Sequence, residues 1–433
     1  MKKHHFSNHI IKLTTSLLYI LIIVLTLNDH QSECTATTTT TSNEDGLLKT
    51  VKLKHIFHHG STRFPNLIKR KDFSDFEILA KEQSSGIPFT HTIRAINETS
   101  VRPTKQNAIN EFRLRSQNEG ISTIIDWDEE IKLVPDIKDY RTLINLAKMT
   151  YNAYLIDNDA IDWYDIGKEY PKNQSFGWEE DGVRGHVFTS QNNELVIIAI
   201  KGTSMELNGP TTKRDKINDN LLFSCCCAKV DRTWSGVCDC HRGNYNCDID
   251  CLQESVDKES DESLYYKVVL NLFDNMASEF QDSKVWLIGH SLGGSLASLL
   301  GLTHGLPVVA YEAPGERRAA KKLHLPGPPA VPYELLPIWH IGQTADPIYM
   351  GLCNGITSWC YLGGYAMETK CHVGKACVFD VVEKLKWGVS LKTHSIKEVI
   401  EKILTLWNVT YNFALPECKH EHECEDCGLW NYS

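Results

Sequence analysis

The chain has 433 residues, 42% hydrophobic and 23% charged, which is room for one large α/β domain with appendages or for two modest domains. A formal net charge of -10 argues against nucleic acid as a partner. It does not exclude a membrane partner, which a local apolar or basic face would serve.

Residues Ile10 to Leu27 form the only long apolar segment. Lys2, Lys3 and Lys12 lie at or before its start, and Asp29, Glu33, Glu44 and Asp45 follow it. That asymmetry predicts a cytosolic tail at 1–9, a transmembrane helix at 10–27 and a lumenal body. At ~1.5 Å per residue the segment spans roughly 27 Å as a helix, enough for a thin endomembrane. A cleaved signal peptide is the rival, but no A-x-A-like site follows Leu27, which favours an uncleaved signal anchor and a single-pass type II protein. Either route delivers the body to an oxidising lumen, where fifteen cysteines are natural. Glycosylation sequons at Asn97, Asn173, Asn408 and Asn431 agree with that route.

Residues 28–46, rich in threonine, read as a flexible stalk. Residues 47–130 show no sustained periodicity and are expected to be an N-terminal extension packed on the main domain. From Asp139 the pattern sharpens. Tyr140, Leu143, Ile144, Ala147, Tyr151 and Tyr154 fall at helical spacing. Gly185–Thr189 and Leu195–Ile200 read as a hairpin, and the second strand runs into Lys201-Gly202-Thr203-Ser204. Residues 205–263 then turn polar and cysteine-dense, with seven cysteines between Cys225 and Cys251. Disulfides stapling an insertion are the expectation there. Cys238-Asp239-Cys240-His241 matches no standard zinc spacing, and the pairing is not readable from sequence.

Leu264 to Met276 gives a helical face, and the chain then enters Val285 to Leu300, V-W-L-I-G-H-S-L-G-G-S-L-A-S-L-L. Four apolar residues, then Gly289-His290-Ser291-Leu292-Gly293, then a run of small residues make the strand, sharp turn and helix of a nucleophile elbow. Further strands are expected at Leu306–Tyr311 and Leu336–Gly342, and a last amphipathic helix at Ser395–Trp407. The alternation of strand and helix predicts a mostly parallel sheet with helices on both faces. Residues 411–433 form a cysteine-rich tail with Cys418, Cys424 and Cys427, for which disulfides are again preferred over zinc.

A serine hydroxyl becomes a nucleophile when an imidazole takes its proton and a carboxylate orients that imidazole. Ser291 is the nucleophile candidate. Asp346 follows the strand Leu336–Gly342 and precedes Pro347, which makes it the candidate acid. Asp380 is the reserve, with a solvated or capping aspartate as its bland alternative. Among the later histidines, His394 stands in a loop just before the last helix, while His372 is expected to be pinned beside Cys371. His290 is expected to leave the elbow on the far side. The oxyanion donors are assigned to the backbone N–H groups of Leu292 and Thr203. No metal or cofactor is called for.

Taken together, the elbow, the strand ending Ala199-Ile200-Lys201-Gly202-Thr203-Ser204, Tyr311-Glu312-Ala313-Pro314 and Asp346-Pro347 resemble the class-three lipases. More narrowly, G-H-S-L-G-G-S-L-A-S-L-L-G, Y-E-A-P-G-E-R and Q-T-A-D-P-I-Y-M-G are similar to the fungal autophagy-related vacuolar lipases, from about residue 50 to about 410. The resemblance implies an α/β-hydrolase fold over 131–410, with Ser291, Asp346 and His394 as triad. It implies triacylglycerols and phospholipids as substrates, and passage through the endoplasmic reticulum and multivesicular bodies to the vacuole, where vesicles delivered by autophagy are degraded. In secreted relatives a short lid follows the oxyanion strand. Here that place holds the insertion 205–263, which is open to three readings: a lid with Ile217, Leu221, Leu222 and Phe223 as its apolar edge, a membrane-docking surface, or a rigid brace.

Overall fold

The computed structural model describes residues 46–59, 68–72, 91–105, 107–120, 122–155, 182–190, 193–203, 212–229, 236–259, 263–277, 280–354 and 358–433. The chain divides at Asp45–Gly46 into two units, and all described residues belong to the second. No helix among the described residues is long and apolar enough to cross a membrane. The expected anchor Ile10–Leu27, the stalk and the sequon asparagine Asn173 lie outside those residues.

The strands are β1 (Leu47–His59), β2 (Ile68–Asp72), β3 (His91–Pro103), β4 (Trp127–Pro135), β5 (Arg184–Ser190), β6 (Leu195–Ile200), β7 (Asn246–Cys247), β8 (Lys284–His290), β9 (Val308–Tyr311), β10 (Ile338–Gln343), β11 (Lys375–Phe379), β12 (Lys419–His420) and β13 (Asn431–Tyr432). Eleven of them form one sheet in the order β12-β11-β10-β9-β8-β6-β5-β1-β3-β4, with β2 beside β1. The expectation of a mostly parallel sheet needs correction: the sheet is mixed. Strands β6, β8, β9, β10 and β11 run parallel. Beyond β6 the pairings of β5, β1, β2, β3 and β4 are all antiparallel, as is β12 at the other edge. The segment read as an extension thus contributes four strands to the same sheet, and a boundary at 130 would cut through β4.

The longer helices are α1 (Ala108–Glu119), α2 (Tyr140–Asn152), α3 (Thr212–Phe223), α4 (Ile249–Lys258), α5 (Tyr265–Ala277) and α6 (Leu292–His304). Strand periodicity divides the core between the two faces of the sheet. Val196, Ile198, Ile200 and Leu287 join α5 and α6 on one face. Leu195, Ile197, Ala199, Trp286 and Ile288 join α2 and the helical segment at 396–404 on the other. Asp139 starts α2 by accepting the Arg141 and Thr142 N–H groups, which have no partner inside the helix. Helix α6 is buried from Leu292 through Leu302, which explains its small residues: a Cβ at Gly301 would overlap Val308 on β9. The expected last helix is irregular, a short α segment at Ile396–Glu398 followed by a π segment at Val399–Leu404.

Fourteen cysteines pair, and Cys34 lies outside the described residues. Cys226–Cys247, Cys227–Cys238 and Cys240–Cys251 close the insertion on itself. Cys225–Cys427 fastens the tail to the insertion, Cys371–Cys424 and Cys377–Cys418 fasten it to the body, and Cys353–Cys360 closes a turn. Zinc ligation is thereby displaced at both cysteine clusters, since a disulfide sulfur carries no thiolate to offer.

Candidate active site

Ser291 joins β8 to α6 at φ 57 and ψ -134, a backbone state that L residues populate only where the surroundings enforce it. The flanking glycines permit the turn. A Cβ at Gly289 would overlap the Gly293 backbone, and one at Gly293 would overlap the Ile200 and Lys201 carbonyls at the end of β6. The elbow pushes Ser291 out beyond the carboxyl ends of the parallel strands.

Asp346 lies three residues past β10, and His394 ends a 3-10 turn at Leu391–His394. His394 Nδ1 meets Asp346 Oδ2 at 2.7 Å, and its Nε2 meets Ser291 Oγ at 2.9 Å. A carboxylate accepts, so Nδ1 carries the proton and Nε2 offers its lone pair to the serine hydroxyl. The second oxygen of Asp346 accepts the Ile348 N–H at 2.9 Å. All three residues are buried: Ser291 is 6% exposed, His394 3% and Asp346 0%. Two further bonds lock the base loop onto the acid loop, Thr393 Oγ1 to the Ala345 carbonyl (2.8 Å) and Gln343 Nε2 to the Thr393 carbonyl (3.1 Å). Asp380, the reserve acid, caps the short helix Val381–Leu385 by accepting the Glu383 N–H, so the bland alternative describes it.

The model of the family described as lipase (class 3) matches residues 198–305, from within β6 to just past α6. The protein named "Putative lipase ATG15" in Pichia angusta is 42% identical over 409 residues, covering 88% of this chain and 74% of that one. The protein of that name in Debaryomyces hansenii is 45% identical over 71% of this chain, but the match spans only about half, 52%, of the relative's length. The chain belongs to this lipase family. Among solved structures, the Lip2 lipase of Yarrowia lipolytica is 16% identical over 57% of this chain and 80% of that chain, with a TM-score of 0.29.

Around the triad of this lipase-family chain stand residues whose part the sequence did not disclose. His290 is neither the base nor turned away, which corrects the expectation for it. Its Nε2 bonds the His394 carbonyl at 2.8 Å and its Nδ1 bonds the Tyr154 hydroxyl at 2.7 Å. A carbonyl only accepts, so His290 carries its proton on Nε2 and Tyr154 donates to Nδ1. Burial first, and the neighbouring His394 second, hold the His290 imidazole well below its usual value, so it stays neutral. The Tyr154 oxygen also accepts the Gly202 N–H at 3.1 Å. One hydrogen-bonded path therefore joins the oxyanion strand, the elbow and the base loop.

Gly202 lies directly over the elbow: an added Cβ would stand 3.1 Å from the Ser291 Cβ and overlap the His290 carbonyl. The next residue, Thr203, is thus beside the nucleophile, and its hydroxyl donates to Asp219 Oδ2 at 2.7 Å. Leu292 opens α6, where the first N–H groups have no intrahelical partner. Both assigned oxyanion residues therefore border Ser291.

The expected lid edge is corrected in part. Leu221, Leu222 and Phe223 are 2%, 0% and 0% exposed and belong to the core, while Ile217 is half-buried. The end of α3 is tied down by its carbonyls. Lys322 donates to Leu221, Leu222 and Ser224, and the Glu368 and Thr369 N–H groups donate to Phe223. The apolar side chains that suggested a lid are what anchor the helix.

Proposed function

We propose that the chain is a serine carboxylic-ester hydrolase acting on acyl esters of membrane lipids, triacylglycerols and phospholipids, by way of an acyl-enzyme. The observation that carries the reading is the relay of Ser291, His394 and Asp346 at 2.9 and 2.7 Å. Ser291 Oγ attacks the ester carbonyl while His394 Nε2 takes its proton, and Asp346 stabilises the imidazolium. The oxyanion forms against the N–H groups of Leu292 and Thr203. His394 then returns the proton to the leaving alcohol. Water, deprotonated by the same nitrogen, releases the fatty acid.

Two features support a lipid aggregate over a dispersed ester. Leu352, Trp359 and Leu362 are 58%, 70% and 69% exposed on the segment that follows Asp346. The Leu352 N–H donates to the Pro347 carbonyl, which keeps this apolar segment close to the acid loop. The seven disulfides, and the exposed sequon residues Asn97, Asn408 and Asn431, support a lumenal site of action. On that basis, with the N-terminal apolar segment as a type II signal anchor, the enzyme travels from the endoplasmic reticulum through the multivesicular-body membrane. It breaks down autophagic bodies and multivesicular-body vesicles in the vacuole. The test is hydrolysis of phospholipid and triacylglycerol vesicles by the purified protein beside Ser291→Ala. The variant should fall by about a thousandfold or more while keeping its fold. Undiminished hydrolysis in it would refute the assignment, and equal wild-type rates on dispersed and vesicular esters would refute the membrane substrate.

A further inference from the structure

Glu312 stands immediately after β9, the strand between the nucleophile strand β8 and the acid strand β10. Its N–H donates to the Ile341 carbonyl at 2.9 Å, its φ is 43, and its side chain is completely buried. Oε2 accepts the Gln343 N–H at 3.2 Å. Oε1 is equally buried and accepts from no N–H or O–H group. Gln343, whose N–H the carboxyl accepts, opens the turn that carries Asp346, since the Asp346 N–H donates to the Gln343 carbonyl at 3.2 Å, and the Asp346 side chain is its charged neighbour there.

Two carboxyl groups in a dry contact cannot both be ionised, and a hydrogen bond between them requires a proton on one. Asp346 is committed as an acceptor through both oxygens, to the His394 ring and to the Ile348 N–H. The proton therefore belongs on Glu312, at the oxygen without a donor. Burial first, and the Asp346 charge second, push the Glu312 carboxyl well above the usual range. The other ionisable groups nearby do not oppose this. Tyr349, on the turn after Asp346, is held as a neutral phenol by burial first and by Glu421 second. His372 is a cation nearby, its Nδ1 on Glu421 and its Nε2 on the Ala313 carbonyl, stacked on the Tyr349 ring at 4.5 Å, and its charge is answered by Glu421 and Glu316. Among the described residues no ion pair reaches Glu312.

We propose that Glu312 is a positioning residue for the reaction at Ser291, a proton-holding fourth member that donates to Asp346 and so extends the relay to Ser291, His394, Asp346 and Glu312. The inference rests on the ester-hydrolase reading of that site. Its chemical consequence is graded. A neutral donor draws charge from the Asp346 carboxylate and fixes its orientation, so the carboxylate is held in place with less charge to offer the His394 imidazolium. An apolar replacement restores the full charge and moves the acid limb of the rate profile upward. An amide replacement, which still donates, leaves the limb in place.

The experiment measures kcat/KM against pH on a soluble p-nitrophenyl ester for the full chain, Glu312→Gln and Glu312→Leu, with Ser291→Ala as blank. Glu312→Gln should fall by about threefold with its acid limb unmoved; Glu312→Leu should fall by at least about thirtyfold, because Asp346 loses the donor that fixes its carboxylate, with the limb raised by about half a pH unit or more. An unmoved limb in Glu312→Leu, or equal losses in both variants, overturns the proposal. Infrared difference spectroscopy of wild type against Glu312→Gln reads the proton directly and needs neither turnover nor the Leu variant. A protonated-carboxyl stretch present only in wild type at neutral pH is the expected result, and its absence overturns the proposal. A wild type no faster than Ser291→Ala would instead sink the ester-hydrolase reading, leaving the infrared band to judge Glu312.

Discussion

Replacing Asp219 with asparagine tests whether the acid behind the oxyanion strand works as a neutral hydrogen-bond acceptor. Asp219 is 2% exposed. Burial, opposed by the Thr203 hydrogen bond and reinforced by nearby Asp215, pushes its carboxyl from 3.8 up to about 8. The unfolded chain releases the same proton near the ordinary value. Between those limits the folded state holds a proton that the unfolded state has lost, so stability falls as pH rises. At 1.36 kcal/mol per unit, the contribution lost between about pH 4 and about pH 6 is roughly 2–3 kcal/mol. The loss continues to about pH 8 and then levels off, because both states are ionised. Asp219→Asn keeps the shape and the acceptor for Thr203 without a proton to lose. It should match wild type at about pH 4 and exceed it by roughly 2–3 kcal/mol at about pH 6. The assay is guanidinium unfolding of both proteins, disulfides intact, across that range. Parallel stability curves would refute the reasoning, since they would mean that Asp219 already ionises normally in the folded protein.

Tyr154→Phe keeps the ring but strands two buried groups, the Gly202 N–H and His290 Nδ1. It should cost about 2–5 kcal/mol in denaturant unfolding and lower kcat more than it raises KM, because the oxyanion strand loses its tie to the base loop. An effect below about half a kcal/mol would show that water replaces the hydroxyl. Cutting Cys225–Cys427 by Cys225→Ser with Cys427→Ser reopens a link spanning 202 residues. Chain entropy sets an upper bound of about 5 kcal/mol, and limited proteolysis should then cleave the tail first. Unchanged protease resistance would show that packing alone retains it.

The legible part of the site was the part written as contiguous pattern. Val285 to Ile288 followed by Gly-x-Ser-x-Gly announces strand and turn, and Asp346 and His394 sit at element ends where a side chain reaches across the top of a parallel sheet. The structure brings these three into one hydrogen-bonded relay. The parts of Tyr154, Asp219 and Glu312 are not legible, because Tyr154 and Asp219 look ordinary in their own segments and Glu312 shows only as a member of the Tyr311–Pro314 motif. Tyr154 read as one more apolar position on α2, yet it lies past the helix end with its hydroxyl on the elbow. Asp219 and Glu312 acquire their roles only from Thr203 and Asp346, which are distant in sequence. His290 was misplaced because alternation along β8 predicts the face of its ring but not that the base loop folds over it. The outer strands escaped for another reason. β4 alternates weakly, with Ile131 69% exposed and both Val134 and Pro135 buried, so period two never accumulates.

The insertion now reads as a brace rather than a hinged cover, at least over the second half of α3. Asp215 and Asn218 fasten that helix to α5 through the Tyr265 hydroxyl and N–H. Asn220 fastens it to the Gly364 and Ala366 backbone, and the Lys322 ammonium sits beneath its last carbonyls. Swinging the helix away would uncover a buried lysine and break each of these bonds at about 1–3 kcal/mol apiece. It would also withdraw Asp219 from Thr203, removing the support of the oxyanion strand at the moment a substrate arrives. With Leu292 and Thr203 as the proposed oxyanion donors, a swing of α3 would therefore act against the site it uncovered. The described part of the exposed Leu352, Trp359 and Leu362 segment is closed on itself by Cys353–Cys360 and held to the body by the Leu352 N–H on the Pro347 carbonyl, Asn354 on Glu368 and Asn220 on the Gly364 carbonyl. On the proposed lipid substrate, it carries the side chains that gain from meeting a lipid surface.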